Sequence, residues 1–144
     1  MARTRSTPAT VTTTVTHDAI DDLITELNTL EGIEFAKDAW VNKAPAVYGV
    51  VELSQTARQL WADGHLTDSA WNVIVTAYVK DGNNDWPAKI QSKLEALEAD
   101  GRIDLTHTNN REFDAQTGYV KWQWIVIMWG ELTWTETVET PAGE

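Results

Sequence analysis

The stretch GYVKWQWIVIMWG, residues 118–130, predicts a β-strand whose second half is apolar on both faces. Its first part alternates, and one face of the extended chain carries Val120, Trp122 and Trp124. Alternation with a period of two, rich in β-branched and aromatic residues, is typical of a strand. Residues 125–129 are then apolar without interruption. A strand of this kind needs cover on both sides, so we expect a helix, a second sheet or another subunit on each face.

Neighbouring segments predict further strands. The closing hairpin is expected to run out over residues 103–113, turn at residues 114–118 and return over residues 119–129. An earlier strand is predicted over residues 47–53. Gly49 lies inside it, which indicates either a bulge or a close neighbour.

An Asp-Gly pair at residues 63–64 predicts another hairpin, because this dipeptide between apolar flanks favours a tight turn. Its arms are expected over residues 56–61 and 71–80. Residues 33–40 are a short, ambiguous candidate for one more strand. The stretch DGNND, residues 81–85, lacks the order of acidic residues of a calcium loop, so it predicts a turn that leads into a helix.

Apolar residues at helical spacing predict two helices. The first is expected to begin with Thr16 as its N-cap and to stop at Gly32. Its apolar face consists of Ile20, Leu23, Ile24, Leu27 and Leu30. The second is expected over residues 86–100, with a stripe of Trp86, Ile90, Leu94 and Leu97. Lys89 and Lys93 lie near its start and acidic residues near its end, which opposes the helix dipole, so this helix should form only when docked on a sheet.

These elements predict an α+β fold, a mostly antiparallel sheet with two packed helices in the order helix-strand-hairpin-helix-hairpin. At 144 residues the chain is expected to form one domain. Residues 1–15 are Thr-rich and predict an extended N-terminal arm, residues 16–130 the single α+β domain, and residues 131–144 an acidic C-terminal tail.

Composition excludes several classes of protein. The formal net charge is −11 and the pI is about 4.6, whereas general DNA binding requires clustered Lys and Arg. The sequence predicts neither a membrane span, which needs ~20 consecutive apolar residues, nor a secretory signal. The lack of cysteine excludes disulfides, thiolate nucleophiles and cysteine-ligated metals.

No catalytic or metal-binding motif stands out. His17, His65 and His107 are far apart, and each is expected to be solvated or locally hydrogen-bonded. Motifs for a serine nucleophile, a phosphate loop and a dinucleotide site are missing. With 22 Asp and Glu residues, chance pairs of carboxylates are certain, so proximity alone identifies no acid–base pair. We therefore expect a protein that is not an enzyme and holds no metal or cofactor.

The 8 tryptophans allow two interpretations. Trp122 and Trp124 can be core residues beneath the second helix, or they can be exposed on the sheet and stack on sugar rings, as in a carbohydrate-binding module. Core is favoured because two helices with apolar faces need a sheet on which to dock. Trp134 lies in the acidic tail, and we expect it to contact a neighbouring chain.

The order of the predicted elements resembles the tail terminator, or tail completion, proteins of long-tailed viruses. The resemblance covers roughly residues 17–130 and consists of the stretches ITELNTLEG, VYGVVEL, WNVIVTAYVKDG, WPAKIQSKLEALEADG and REFDAQTGYVKWQWIVIMWG. Members of this family are small α+β subunits that cap the tail tube as a hexameric ring and join it to the neck below the head.

This resemblance implies a structural virion protein of the tail or neck, made in the host cytoplasm. The implied partners are further copies of the chain in a ring, expected to be a hexamer, the tail tube protein, and neck or head-completion proteins, with no membrane. DNA is expected to pass nearby without specific binding, because like charges repel. Another neck or head-completion subunit, and a carbohydrate-binding module, are the alternatives.

Candidate interface residues are polar positions beyond the β-rich arms and tryptophans near the C-terminus. Loops held out by a rigid scaffold are usual places for contacts. Arg111 is the only positive charge between Arg102 and Lys121, which makes it the best anchor for an acidic partner. The candidates, interpreted as two polar hairpin ends and two tryptophans, are Asp63, Gly64, His65, Asn109, Asn110, Arg111, Trp129 and Trp134.

Overall fold

A computed structural model of the chain describes residues 10–62, 65–80, 85–130 and 132–141, with only the backbone described over residues 55–62, 65–69 and 107–110. In chain order, the elements within these ranges are β1 (Thr10–Asp18), α1 (Ala19–Leu27), β2 (Phe35–Lys37), β3 (Val47–Ala62), β4 (His65–Val79), α2 (Trp86–Ala99), β5 (Asp104–Phe113), β6 (Val120–Trp129) and β7 (Thr133–Pro141). The predicted α+β class is confirmed, since two helices pack on a mostly antiparallel sheet.

The main sheet has five strands in the order β2-β3-β4-β6-β5. Its neighbouring strands are antiparallel, except for the parallel pair of β2 and β3. β2 is the short strand that the ambiguous segment at residues 33–40 contains. The two predicted hairpins are β3–β4 and β5–β6, and β4 and β6 lie side by side at the centre of the sheet.

The β3–β4 hairpin is longer than predicted. The separate strands predicted over residues 47–53 and 56–61 form one strand of 16 residues. The gap between the two predicted strands coincides with a shift in the register of the pairing with β4, between Leu53 and Ala57. The ladder continues to Ala62 opposite His65, as the predicted Asp-Gly connection requires.

One face of the sheet, which we call the helix face, forms the core with both helices. The fully buried Val51, Val75 and Trp124 come from adjacent strands. They pack in one cluster with the buried Leu27 of α1 and Leu94 of α2. Since side chains alternate along a strand, the residues between them point to the opposite face, which we call the back face.

The first helix begins later than predicted. Thr16 is not its N-cap but lies in β1, opposite Thr135. Asp18 caps the helix instead, because its Oδ1 accepts hydrogen bonds from the backbone N–H groups of Ile20 and Asp21, at 2.8 and 3.1 Å. Thr-rich sequence favours an extended backbone up to the point where a carboxylate can bind the free N–H groups.

The first helix also ends earlier than predicted. Its C-cap is Asn28, four residues before Gly32. The Asn28 side chain accepts a hydrogen bond from Phe35 N at 2.7 Å and donates one to Phe35 O at 3.3 Å. The amide therefore ties the end of α1 to the start of β2.

The second helix agrees with the prediction. α2 runs over Trp86–Ala99, with Pro87 in its first turn. All four residues of the predicted apolar stripe are buried: Trp86, Ile90, Leu94 and Leu97.

The described parts of the N-terminal arm and of the acidic tail pair with each other. β1 and β7 form a two-stranded antiparallel sheet in continuous register, from Thr10 opposite Pro141 to Asp18 opposite Thr133. We call this pair the terminal ribbon. It is separate from the five-stranded sheet, and nearly all of its side chains are exposed.

Candidate functional site

Two exposed tryptophans border a cavity where the terminal ribbon leaves the domain. Trp129 ends β6, and Trp134 lies near the start of β7. They are 45% and 39% exposed. The cavity has a volume of about 310 Å³ and is also lined by α1 and by residues near the end of α2. We call it the ribbon-root groove.

The ribbon-root groove has an apolar floor and a charged rim. Buried side chains of Leu23, Ile103 and Met128 line it, together with exposed or half-buried Asp22, Glu26 and Arg102. Apolar walls with a few polar groups are typical of sites that receive a small ligand or a side chain of a partner.

Of the two carboxylates on the rim, Glu26 is paired with basic side chains of the described residues and Asp22 is not. Glu26 accepts from Arg102 Nη1 at 3.0 Å and from Lys93 Nζ at 3.1 Å. These hydrogen bonds, from Arg102 and then Lys93, outweigh desolvation and lower the pKa of Glu26. The exposed carboxylate of Asp22 forms no ion pair or hydrogen bond with any described residue. The rim therefore presents one negative charge without a counterion from the described part of the chain.

Both indoles are held in place by neighbouring polar groups. The ring of Trp134 stacks on His17, with 5.2 Å between the ring centroids. His17 Nε2 lies 2.9 Å from Glu136 Oε2, across the ribbon. The Nε1 of Trp129 donates a hydrogen bond to the carboxylate of Asp104. These contacts orient the two rings while part of each remains accessible.

β6 is covered by helices on only one face. Trp124 and Val126 are fully buried on the helix face. Ile125 and Ile127, on the back face, are only partly buried. The main core cluster joins the two helices to residues of the helix face, and no described helix packs on the back face.

An aromatic cluster occupies one end of the back face. Tyr48 stacks on Tyr78 with 4.7 Å between ring centroids, and Trp40 and Tyr119 lie 5.2 and 5.5 Å from Tyr48. Burial raises the pKa of Tyr48, and the neighbouring phenols of Tyr78 and Tyr119 add to the shift. The Tyr119 hydroxyl donates to Pro45 O at 2.6 Å. These rings support each other and the chain before β3.

The predicted interface residues fall into separate places. Trp129 and Trp134 meet at the ribbon-root groove. Asp63 and Gly64 lie outside the described residues, and His65 starts β4 with its side chain outside the description. Arg111 pairs with Trp122 near the opposite end of β6.

The prediction of a polar hairpin end at residues 109–111 is wrong. Asn110 and Arg111 lie inside β5, opposite Gln123 and Trp122, and the side chains of Asn109 and Asn110 are outside the description. The hairpin turns after Phe113, as the predicted turn at residues 114–118 requires. There Asp114 Oδ1 accepts from Gln116 N at 2.9 Å, a side-chain contact typical of turns. A polar strand at the edge of a sheet has the composition of a loop, which explains the error.

Arg111 is nevertheless exposed, as expected for an anchor. Its guanidinium carbon lies 5.7 Å from the centre of the Trp122 ring. This contact is within the range of a cation–π interaction, and it gives Trp122 a polar cover at the edge of the core.

Sequence reasoning missed the rim of the groove and the aromatic cluster. In the sequence, Asp22 is indistinguishable from any acidic residue that stabilises the first turn of a helix. Tyr48 and Tyr78 could have been paired only if the register of β3 and β4 had been known, because their separation in sequence carries no periodic signal.

No group of three or more His, Cys, Asp or Glu side chains able to hold a metal occurs in the described part of the chain. Within the same residues, no helix is long and apolar enough to cross a membrane. No protein-family model matches the sequence, and no curated protein is significantly similar to it.

Proposed function

We propose that the protein is a structural subunit of a viral tail, a tail terminator that caps the tail tube as a ring, expected to be hexameric, and joins it to the neck. The proposal combines the resemblance in element order with surfaces that a single copy leaves uncovered. Its implied partners are further copies of the chain, the tail tube protein and neck or head-completion proteins.

The observation that carries the proposal is the uneven cover of β6. Its Trp124 and Val126 are 0% exposed beneath the helices, whereas Ile125 and Ile127 on the back face are only partly buried. Burial of apolar surface contributes roughly 25 cal/mol per Å². A neighbouring subunit on this face would gain that contribution.

Unpaired strand edges give further support. The main sheet ends at β5, and the terminal ribbon has only two strands. An isolated two-stranded sheet is at best marginally stable in water, and open edges favour pairing with other chains. A closed ring satisfies such surfaces without unlimited growth, because cyclic symmetry uses each of them once.

The charge of the chain fits a passage for DNA. A net charge of −11 disfavours binding of the phosphate backbone. A ring through which DNA moves should bind that DNA only weakly, so the acidic composition suits the proposed position between tail and head. Another neck or head-completion subunit would have the same requirement and is the nearest alternative.

The carbohydrate-binding alternative is less well supported. Trp124 is fully buried, and Trp122 packs against the core under Arg111. Neither presents a free ring to a sugar. Only Trp129 and Trp134 have large exposed fractions among the described tryptophans, and each faces a protein-lined groove.

Electron microscopy and virion analysis test the proposal. Negative-stain images of the purified protein should show closed rings, and the protein should be found in purified virions or tail assemblies. Its absence from both virions and tail assemblies would exclude a terminator role. Titration with oligosaccharides should leave tryptophan fluorescence unchanged; a saturable change that Trp134→Ala abolishes would favour the carbohydrate-binding module.

A further inference from the structure

The ribbon-root groove has the chemistry of a site for a cationic side chain. It offers two partly exposed indoles, Trp129 and Trp134. A guanidinium or ammonium group over an indole face is attracted by the ring quadrupole. Asp22 adds a carboxylate that no described residue neutralises. The other rim acid, Glu26, is already paired with Arg102 and Lys93, so Asp22 is the open position.

The chain itself carries a segment of complementary chemistry. Residues 1–9, MARTRSTPA, contain Arg3 and Arg5 and no acidic residue, in a chain of net charge −11. This segment lies outside the described residues and continues directly from Thr10, at the free end of the terminal ribbon. Arginine is favoured at such sites because its flat cation stacks on aromatic rings and pairs with carboxylates.

Reach favours the groove of a different copy. Trp134 in the groove lies opposite His17, seven residues along β1 from Thr10, which is about 24 Å at roughly 3.4 Å per residue. Because β1 runs from Thr10 toward the groove, the preceding segment must reverse direction in a turn of about four residues before it can run back along the ribbon. About four residues then remain as far as Arg3, which is about 14 Å, and an arginine side chain adds only roughly 6–7 Å, so neither arginine reaches the groove of its own copy. A neighbour placed at the free end of the ribbon is under no such constraint.

We propose that residues 1–9 of one copy dock in the ribbon-root groove of a neighbouring copy, with Arg3 and Arg5 supplying a cation to Trp129, Trp134 and Asp22. The terminal ribbon then acts as the spacer that carries the arm between subunits. This inference rests on the self-association in the proposed function but not on the viral role.

Site-specific crosslinking tests the contact. The chain has no cysteine, so single cysteines introduce unique reactive positions. Full-length Ser6→Cys and Ala19→Cys variants, the second within the groove, are mixed and treated with a short bismaleimide. The expected product is a covalent dimer of one copy of each. Val41→Cys, 92% exposed and not part of the groove lining, is the matched control for Ala19→Cys.

A doubly substituted chain, Ser6→Cys with Ala19→Cys, separates docking between copies from docking within one. Crosslinked dimers are expected at concentrations where the protein self-associates. Crosslinking only within single chains would overturn the proposal, and so would dimer yields equal to those with Val41→Cys. Circular dichroism confirms that each variant is folded.

Charge reversal provides an independent readout by sedimentation. Arg3→Glu with Arg5→Glu should weaken self-association by about tenfold or more, as should Asp22→Lys. All three substitutions together should recover only the part of the loss that is due to the ion pair, because a carboxylate does not replace the cation over the indoles. Glu31→Lys, at an exposed position outside the groove lining, makes the same change of net charge; an equal loss there would overturn the assignment to Asp22.

The outcomes separate this inference from the proposed function. Rings that form normally, with no arm–groove crosslink and no effect of charge reversal, would overturn the inference alone. A monomer at every concentration would remove both the ring and the arm contact. Loss of self-association with Asp22→Lys but not with the arginine substitutions would assign the groove to a different segment of the neighbouring copy and overturn docking by the arm.

Discussion

At the scale of single residues, Gly49 shows how one position constrains the sheet. It lies opposite Phe35 in the parallel pair of β2 and β3. A Cβ atom at this position would lie 2.2 Å from Cδ2 of the Phe35 ring. The sequence pattern left open a bulge or a close neighbour, and the register is continuous here, so the close neighbour is the explanation.

Gly49→Ala is therefore expected to destabilise the protein. Overpacking of a core costs about 1–3 kcal/mol, and Phe35 is only 3% exposed, so its ring has little room to move. Urea unfolding gives the free energy of unfolding. In a Phe35→Ala background the same substitution should cost less, because the obstructing ring is gone. Equal losses in both backgrounds would show that the clash is not the cause.

Asp18 predicts a dependence of stability on pH. Burial opposes its ionisation, but hydrogen bonds from Asp21, Lys37 and Ile20 outweigh it and lower the pKa of Asp18 below its ordinary value of 3.8. Since the folded state favours the carboxylate, this stabilisation is fully present above about pH 4 and is lost as the pH falls through the lowered pKa.

Asp18→Asn should isolate the charge, because Asn remains a good N-cap. At pH 7 it should cost about 0.5–1 kcal/mol through the lost interactions with Lys37 and the helix dipole. Asp18→Ala, which also removes the cap, should cost about 0.5–2 kcal/mol. Denaturant unfolding at pH 7 and pH 3 makes the comparison. A difference between native protein and Asp18→Asn that does not shrink at pH 3 would contradict the role of the charge.

At the scale of elements, α2 is stabilised by packing rather than by its own sequence. It has no acidic residue in its first turn and no basic residue in its last, so neither end is favoured by the helix dipole. Lys89 is partly compensated by lying 4.7 Å from the centre of the Trp86 ring. The stabilisation from burying the apolar stripe of α2 exceeds the cost of the unfavourable charges at its ends.

Leu94→Ala is expected to lower the free energy of unfolding by about 2–5 kcal/mol. Leu94 is 0% exposed between the helix and the sheet, so its loss leaves a cavity. Ser92→Ala, at an exposed position of the same helix, should change stability by less than about 0.5 kcal/mol. Thermal or urea unfolding measures both. Similar effects of the two substitutions would contradict the docking of α2 through this stripe.

At the scale of the whole molecule, the two ends of the sheet differ. The ribbon-root groove lies where β6 ends at Trp129, and Arg111 lies near the other end, close to Val120. The proposed role of joining tail to neck requires two separate contact surfaces. The fold provides candidates for both.

Arg111→Glu should impair assembly without loss of stability. The side chain is exposed, so the free energy of unfolding should change by only about 0.5–1 kcal/mol, including the weakened contact with Trp122. Complementation during virus assembly measures joined particles against free heads and tails, and fewer joined particles are expected. Lys43→Glu makes the same charge change on an exposed loop residue and should join normally. Normal joining with folded Arg111→Glu would remove this edge from the interface.

Local patterns were sufficient for several elements. The alternation in residues 118–130 predicted β6, the spacing of four apolar residues predicted α2, and the Asp-Gly pair predicted the β3–β4 hairpin. Each signal depends on residues within one element or one turn, where backbone geometry and burial of a face leave few alternatives. The same signals predicted the α+β class.

Only the tertiary structure decided the contacts between distant segments. An unbroken ladder from Ala62 and His65 would place Tyr48 opposite Val79, but two register shifts pair it with Tyr78 and create the aromatic cluster. The Thr-rich arm and the acidic tail likewise have no local signal for their pairing, yet they form the terminal ribbon and bring Trp134 beside Trp129. The sequence by itself determined the central strands, the existence of both helices and their apolar faces, but not β1, β7 or the bounds of α1. Register and long-range pairing depend on which distant backbone groups satisfy each other in the folded chain, and no local pattern specifies that.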